Sequence, residues 1–181
     1  MKLGLGLMGM VLALGLAASA CSSDTTRSSS TNGPLAFVAA GEAPSDGAVV
    51  FLREQPNALE PNRVVVEVVA RGAGNLHGAA FRVTWDPEVV SFVRAEGGEK
   101  WSKTALAIAK EGTPGQLAVA WTEKGERGID ASGEAVLGTL VFESRSHKGT
   151  TIAFKTERSM LVDKKGMAVK AAWTGGSVSA H

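Results

Sequence analysis

The stretch FRVTWDPEVVSF spans Phe81 to Phe92. Phe81, Val83 and Trp85 alternate with Arg82 and Thr84, the period of two that a half-buried strand imposes on its side chains. Asp86-Pro87 then interrupts the pattern. Pro87 fixes its own φ and pushes the preceding residue toward extended geometry. An Asp side chain in this position accepts from a backbone N–H two residues on, forming an Asx-turn. EVVSFVRA then resumes an apolar run. The stretch reads as strand, corner, strand, with Asp86 as a corner residue rather than a catalytic or metal-binding acid.

The same pattern extends outward. AVVFLRE, RVVVEVVAR, AAFRVTW, EVVSFVRA, GQLAVAWT, EAVLGTLVFESRS and TTIAFKTE are short β-rich runs separated by Gly, Pro, Asn and Asp clusters. GAGNLHG and EKGERGIDASG read as loops. KTALAIAK alternates Leu106 and Ile108 with alanines, although a helical turn also fits. SMLVDKKGMAVKAA reads as a hairpin turning at Asp163 to Gly166, and WTGGSVS closes the chain. No segment holds a helical apolar stripe over three turns. About nine strands between residues 48 and 181 predict an all-β sandwich or barrel.

The N-terminal region differs. Lys2 precedes an apolar run from Leu3 to Leu16, and small residues follow in AASAC. This is the pattern of an export signal over residues 1–20, too short and too rich in Gly and Ala for a membrane span. Cys21 is the single cysteine, so it has no partner for an internal disulfide. AASAC resembles the lipobox of bacterial lipoproteins, with Ala18 where Leu is usual. The resemblance implies that Cys21 is lipidated and that several acyl chains hold the protein on a membrane. Ser22 follows it, not the Asp associated with inner-membrane retention, which implies the outer membrane. Residues 21–47 begin with the Ser/Thr-rich SSDTTRSSSTNGP and read as a flexible tether, with LAFVAA left unassigned.

The chain has 19 Lys and Arg against 18 Asp and Glu, and without Lys2 the two balance. Nothing in this composition points to nucleic acid. His77, His147 and His181 lie far apart, leaving no Cys/His metal-ligand spacing. Asp130 and Glu134 lack the regular acidic spacing of a calcium loop. There is no G-x-S-x-G elbow, and GAGNLHG lacks the Gly-Lys-Ser/Thr of a phosphate loop. The sequence therefore predicts no catalytic residue, metal or cofactor. Of the four tryptophans, Trp85 and Trp121 alternate with core positions. Trp101, in the polar EGGEKWSK, is expected to be the most exposed ring and the candidate for stacking on a sugar.

The ordered runs resemble the cohesin domain, the β-jelly-roll module of cellulosome scaffoldins. VVVEVVARGAGNLHGAAFRVTWDPEVVSFVRAEGG looks like the family's opening, LAVAWTEKGERGIDASGEAVLGTLVFESRS like its middle, and TTIAFKTERSMLVDKKGMAVKAAWTGGSVS like its end. The resemblance covers Ala48 to Ser179 and implies a two-sheet β-sandwich that binds a protein rather than catalysing a reaction. The expected docking face is the solvent side of the AAFRVTW and GQLAVAWT strands: Arg82, Thr84, Gln116, Ala118 and Ala120. Many dockerin-binding cohesins expose Asn and Asp where this chain has Gly78 and Ala80, which speaks against an ordinary dockerin as the partner. Related carbohydrate-binding modules share the sandwich, so polysaccharide binding through Trp101 is an alternative. A structural envelope lipoprotein without a soluble ligand is another.

Overall fold

The computed structural model describes residues 35–41, 46–56, 60 and 62–180. The expected signal segment, Cys21 and the Ser/Thr-rich part of the tether lie outside the described residues. Within them the chain forms β1 (Leu35–Ala39), β2 (Ala48–Glu54), β3 (Arg63–Thr84), β4 (Val90–Gly97), β5 (Leu106–Thr113), β6 (Gln116–Thr122), β7 (Ile129–Ser144), β8 (Thr150–Phe154), β9 (Met160–Asp163), β10 (Ala168–Val169), β11 (Ala171–Thr174) and β12 (Gly176–Ala180). One 3-10 turn, Thr156–Arg158, is the sole helical piece among the described residues.

β3 organises the molecule. Its first half pairs with β2 and β7, and its second half pairs with β6 on one side and with β9 and β8 on the other. GAGNLHG is therefore not a loop. It continues one 22-residue strand, with register shifts at Val68/Val69, Arg71/Ala73 and Ala73/Leu76. Bulges bend a strand and increase its twist, so a single strand serves both layers of the sandwich. Gly72 and Asn75 take positive φ here, 72° and 53°. The turn-forming residues mark irregularities within a strand rather than a reversal.

The first layer runs β11–β2–β3–β7–β4, with β11 parallel to β2. The second joins β1–β12–β8 to the far half of β3, followed by β6 and β5. Inward residues come from both layers: Val64, Val66 and Val68 of β3, Leu140 and Phe142 of β7, and Leu117, Val119 and Trp121 of β6. Trp121 projects against Gly138 of β7. A Cβ at Gly138 would come within 2.5 Å of the indole, so glycine is needed where the ring crosses the core. Phe81 meets Trp121 edge-on at 5.3 Å, and Trp85 meets Phe142 at 5.2 Å, geometries favoured by the ring quadrupole.

The corner at Asp86 forms as expected. The Asp86 carboxylate accepts from Glu88 N at 2.9 Å, and the Asp86 carbonyl accepts from Val89 N at 3.1 Å. Trp85 is buried beneath and donates Nε1–H to the Val90 carbonyl at 3.0 Å. Gly115, with φ of 78°, packs so closely that a Cβ there would meet the Trp85 carbonyl at 2.6 Å.

Two boundaries shift. LAFVAA, expected within the tether, supplies β1. It pairs with β12 in register from Leu35↔Ala180 to Ala39↔Gly176, and Leu35 and Phe37 are buried in the core. The folded unit thus begins by residue 35, not 48. Ile129 and Asp130, expected in a polar loop, begin β7. The second part of KTALAIAK resolves as strand, since Leu106 to Lys110 pair with β6 from Thr122 to Ala118. The hairpin at Asp163 is as predicted: Gly166 N donates to the Asp163 carbonyl, and the Asp163 carboxylate accepts from Lys165 N and Met167 N.

Candidate functional site

Residues directly opposed across antiparallel strands point to the same face of the sheet. Across the second layer the register gives one row Met160–Ala80–Ala120–Ile108 over β9, β3, β6 and β5. The row on one side is Val162–Gly78–Thr122–Leu106. On the other side come Arg82–Ala118–Lys110 and then Thr84–Gln116–Thr113. The alternate residues Ala79, Phe81, Leu117, Val119 and Trp121 point into the core, so these rows form the outer face. All five residues expected on a docking face, Arg82, Thr84, Gln116, Ala118 and Ala120, are brought together here.

Five large apolar side chains are exposed among the described residues. Three of them stand on this face: Ile108 at 49%, Met160 at 47% and Leu106 at 40%. Between Met160 and Ile108 the floor consists of two alanines. Three inter-strand spacings put the outer strands about 14 Å apart, wide enough to seat an α-helix of roughly 10–12 Å diameter. The face is thus a shallow apolar trough with raised sides. Leu106, Ile108, Lys110 and Met160 were not expected there. The alternation in KTALAIAK was the available signal, but it did not fix the neighbouring strand.

A depression of about 210 Å³ lies at one end of the trough, lined by Arg82, Lys110, Gly112, Thr113, Gln116 and Ala118. Neither the Arg82 guanidinium nor the Lys110 ammonium has a hydrogen-bond or ion-pair partner among the described residues. The outer face of the first layer is the reverse. There Val65, Val69 and Val141 are buried beneath a lattice of ion pairs. Arg53 binds Glu67 at 2.7 Å and Glu134 at 2.9 Å, and Arg94 binds Glu60 and Glu96, each at 2.8 Å. Arg63 reaches Glu60 at 3.2 Å, and Arg71 lies over the Phe51 ring. The Arg94 and Arg63 hydrogen bonds hold the Glu60 carboxyl below its ordinary pKa.

Trp101 is not the exposed ring that its polar neighbours predict. It is 9% exposed, and its Nε1–H donates to the Leu137 carbonyl at 2.6 Å. The loop is pinned by Gly98 N to the same carbonyl at 2.8 Å and by Ser102 N to the buried Glu123 carboxylate at 2.7 Å. The polar neighbours turn out while the ring turns in, so Trp101 offers no surface for stacking on a sugar. None of the other aromatic rings is among the exposed large side chains.

Asp130 and Glu134 are likewise committed to structure. Asp130 accepts from Ser132 N at 2.9 Å, a backbone hydrogen bond that lowers its pKa, and Glu134 binds Arg53. Among the described residues no group of three or more His, Cys, Asp or Glu side chains is placed to hold a metal.

No family model matches the chain, and no curated protein matches it. Solved structures do. The sixth cohesin from scaffoldin B of Acetivibrio cellulolyticus, solved with a Cel5 dockerin mutant, is 18% identical, with a TM-score of 0.61 over 73% of this chain and 97% of that one. The second type II cohesin module from the adaptor scaffoldin of the same organism is 13% identical, with a TM-score of 0.59 over 73% and 90%. A non-cellulosomal cohesin from the archaeon Archaeoglobus fulgidus is 16% identical, with a TM-score of 0.53 over 78% and 88%. The chain has a cohesin-like β-sandwich fold.

Proposed function

We propose that this chain is a non-catalytic docking module, anchored to the outer membrane through Cys21, whose β9–β3–β6–β5 face binds a helical segment of an envelope or extracellular protein. The observation that carries the docking reading is the row Met160–Ala80–Ala120–Ile108. Large apolar side chains held out in solvent on either side of a small-residue floor are a cost to an isolated protein, and a partner's surface removes it. The solved cohesin–dockerin complex of the same fold is consistent with such a role. Gly78 and Ala80 lack the side-chain groups expected for an ordinary dockerin, so apolar contact takes their place. The anchoring part of the proposal rests on the leader and AASAC alone. A glycan-binding role loses its main support with the burial of Trp101.

The test is capture of the partner from cell-envelope extract by the full-length lipoprotein, with crosslinking. Ile108→Asp together with Met160→Asp is expected to reduce recovery at least tenfold, while Lys148→Glu, in an exposed loop, leaves it unchanged. Equal recovery by the double variant would remove the trough from the account.

A further inference from the structure

We infer that the Arg82–Lys110 end of this face is a socket for a carboxylate, an Asp or Glu side chain carried by the docking partner. The inference rests on the docking reading and adds the partner's charge to it. Arg82 and Lys110 each oppose Ala118 directly, from β3 and β5. They stand about 10 Å apart across two inter-strand spacings. The small Ala118 side chain leaves the 210 Å³ depression between them, and Gln116 and Thr113 complete its polar rim. The nearby Glu111 carboxylate is engaged elsewhere, accepting from Gly115 N at 3.2 Å.

The contrast between the two outer faces carries the argument. On the first layer Arg53, Arg63, Arg71 and Arg94 are all answered by glutamates from within the chain. On the trough face two cations flank one alanine with no acid from within the described residues. A guanidinium presents paired N–H donors that match a carboxylate, and an ammonium beside it adds a second charge. Because the adjoining trough is apolar and helix-wide, the complementary acid belongs on a protein segment seated in it.

The probe is N-acetyl-glutamate methylamide, titrated into the ¹⁵N-labelled full-length chain in nanodiscs and followed by NMR. N-acetyl-glutamine methylamide and inorganic phosphate are the comparison ligands. The glutamate compound is expected to shift the Arg82 side-chain Nε–H and the Arg82, Lys110 and Ala118 amides, saturating in the millimolar range, while the glutamine compound leaves them in place. Arg82→Gln and Lys110→Gln should each raise the half-saturating concentration at least fivefold with the rest of the spectrum unchanged. Equal shifts around exposed Lys148, or affinity unaltered in both variants, would overturn the socket. Phosphate binding more than tenfold tighter than the carboxylate would also overturn it, in favour of a phosphate-bearing ligand. The trough is not involved in this titration, so a negative result leaves the Ile108 and Met160 experiment to decide docking on its own.

Discussion

The indole N–H of Trp101 points into the sandwich and meets the carbonyl of Leu137 at 2.6 Å. The Trp101 ring is therefore a peg that holds the β4–β5 connection against β7. Trp101→Ala is expected to destabilise the fold by about 3–5 kcal/mol in urea unfolding, as for other large buried side chains. Trp101→Phe should cost about 1 kcal/mol, since Gly98 N still satisfies the Leu137 carbonyl. An unchanged midpoint for the alanine variant would return the ring to the surface.

Trp121 and Gly138 make a second test of packing. Gly138→Ala forces a methyl toward both the indole and the Glu96 carbonyl, and overpacking of this kind costs about 1–3 kcal/mol. Trp121→Phe in the same chain should recover part of that loss and not all of it, because the backbone contact remains. Full additivity of the two substitutions would show that the ring and the glycine do not meet.

The corner, the alternating strands and the core tryptophans Trp85 and Trp121 were legible because each depends on local chemistry: the φ of Pro87, the Asx-turn of Asp86, and period two. What was hidden depends on pairing across the chain. GAGNLHG carries turn residues, but a bulge and a turn use the same residues. The outcome was decided by β7, which pairs with β3 before this stretch and within it at Ala73 and Leu76, and by β6 and β9, which take over from Gly78. LAFVAA is too short for its own pattern to decide between strand and tether, and its place is fixed by β12 at the far end of the sequence. Trp101 sits among charged neighbours, and its burial follows from Leu137 and Glu123, both remote in sequence. The proposed docking face was half visible for the same reason. Arg82, Thr84 and Gln116 follow from alternation within β3 and β6, whereas Ile108 and Met160 join only through the register of β5 and β9.

The ion-pair lattice over Val65, Val69 and Val141 has a distinct consequence. The Glu67 side chain is 13% exposed and held by Arg53. Arg53→Ala leaves a largely buried carboxylate without that partner, and should cost about 1–2 kcal/mol, between exposed and buried pairs. Adding Glu67→Gln should restore part of the loss. Chemical unfolding of the two single variants and the double variant measures the coupling.

Acid should loosen the same lattice. The Arg94 and Arg63 hydrogen bonds lower the Glu60 pKa in the folded protein from its ordinary value of 4.5. The sign follows from linkage: the group contributes stability above its unfolded pKa and loses that contribution as pH falls through the folded one. The melting temperature is expected to be nearly flat from about pH 5 to 7 with respect to this group, and to fall below about pH 4. Glu60→Gln should show a shallower acid decline. A decline of equal steepness in wild type and variant would assign the acid response to other carboxylates.

The proposed docking face is tested most directly by site-specific photocrosslinking in intact cells. p-Benzoylphenylalanine is placed singly at Ala120, at Ile108, and at Glu143 on the outer face of the opposite layer. The account predicts one discrete protein adduct, shared by Ala120 and Ile108 and absent from Glu143. Adducts confined to Glu143, the same adduct from both faces, or no adduct from Ala120 and Ile108 would contradict it.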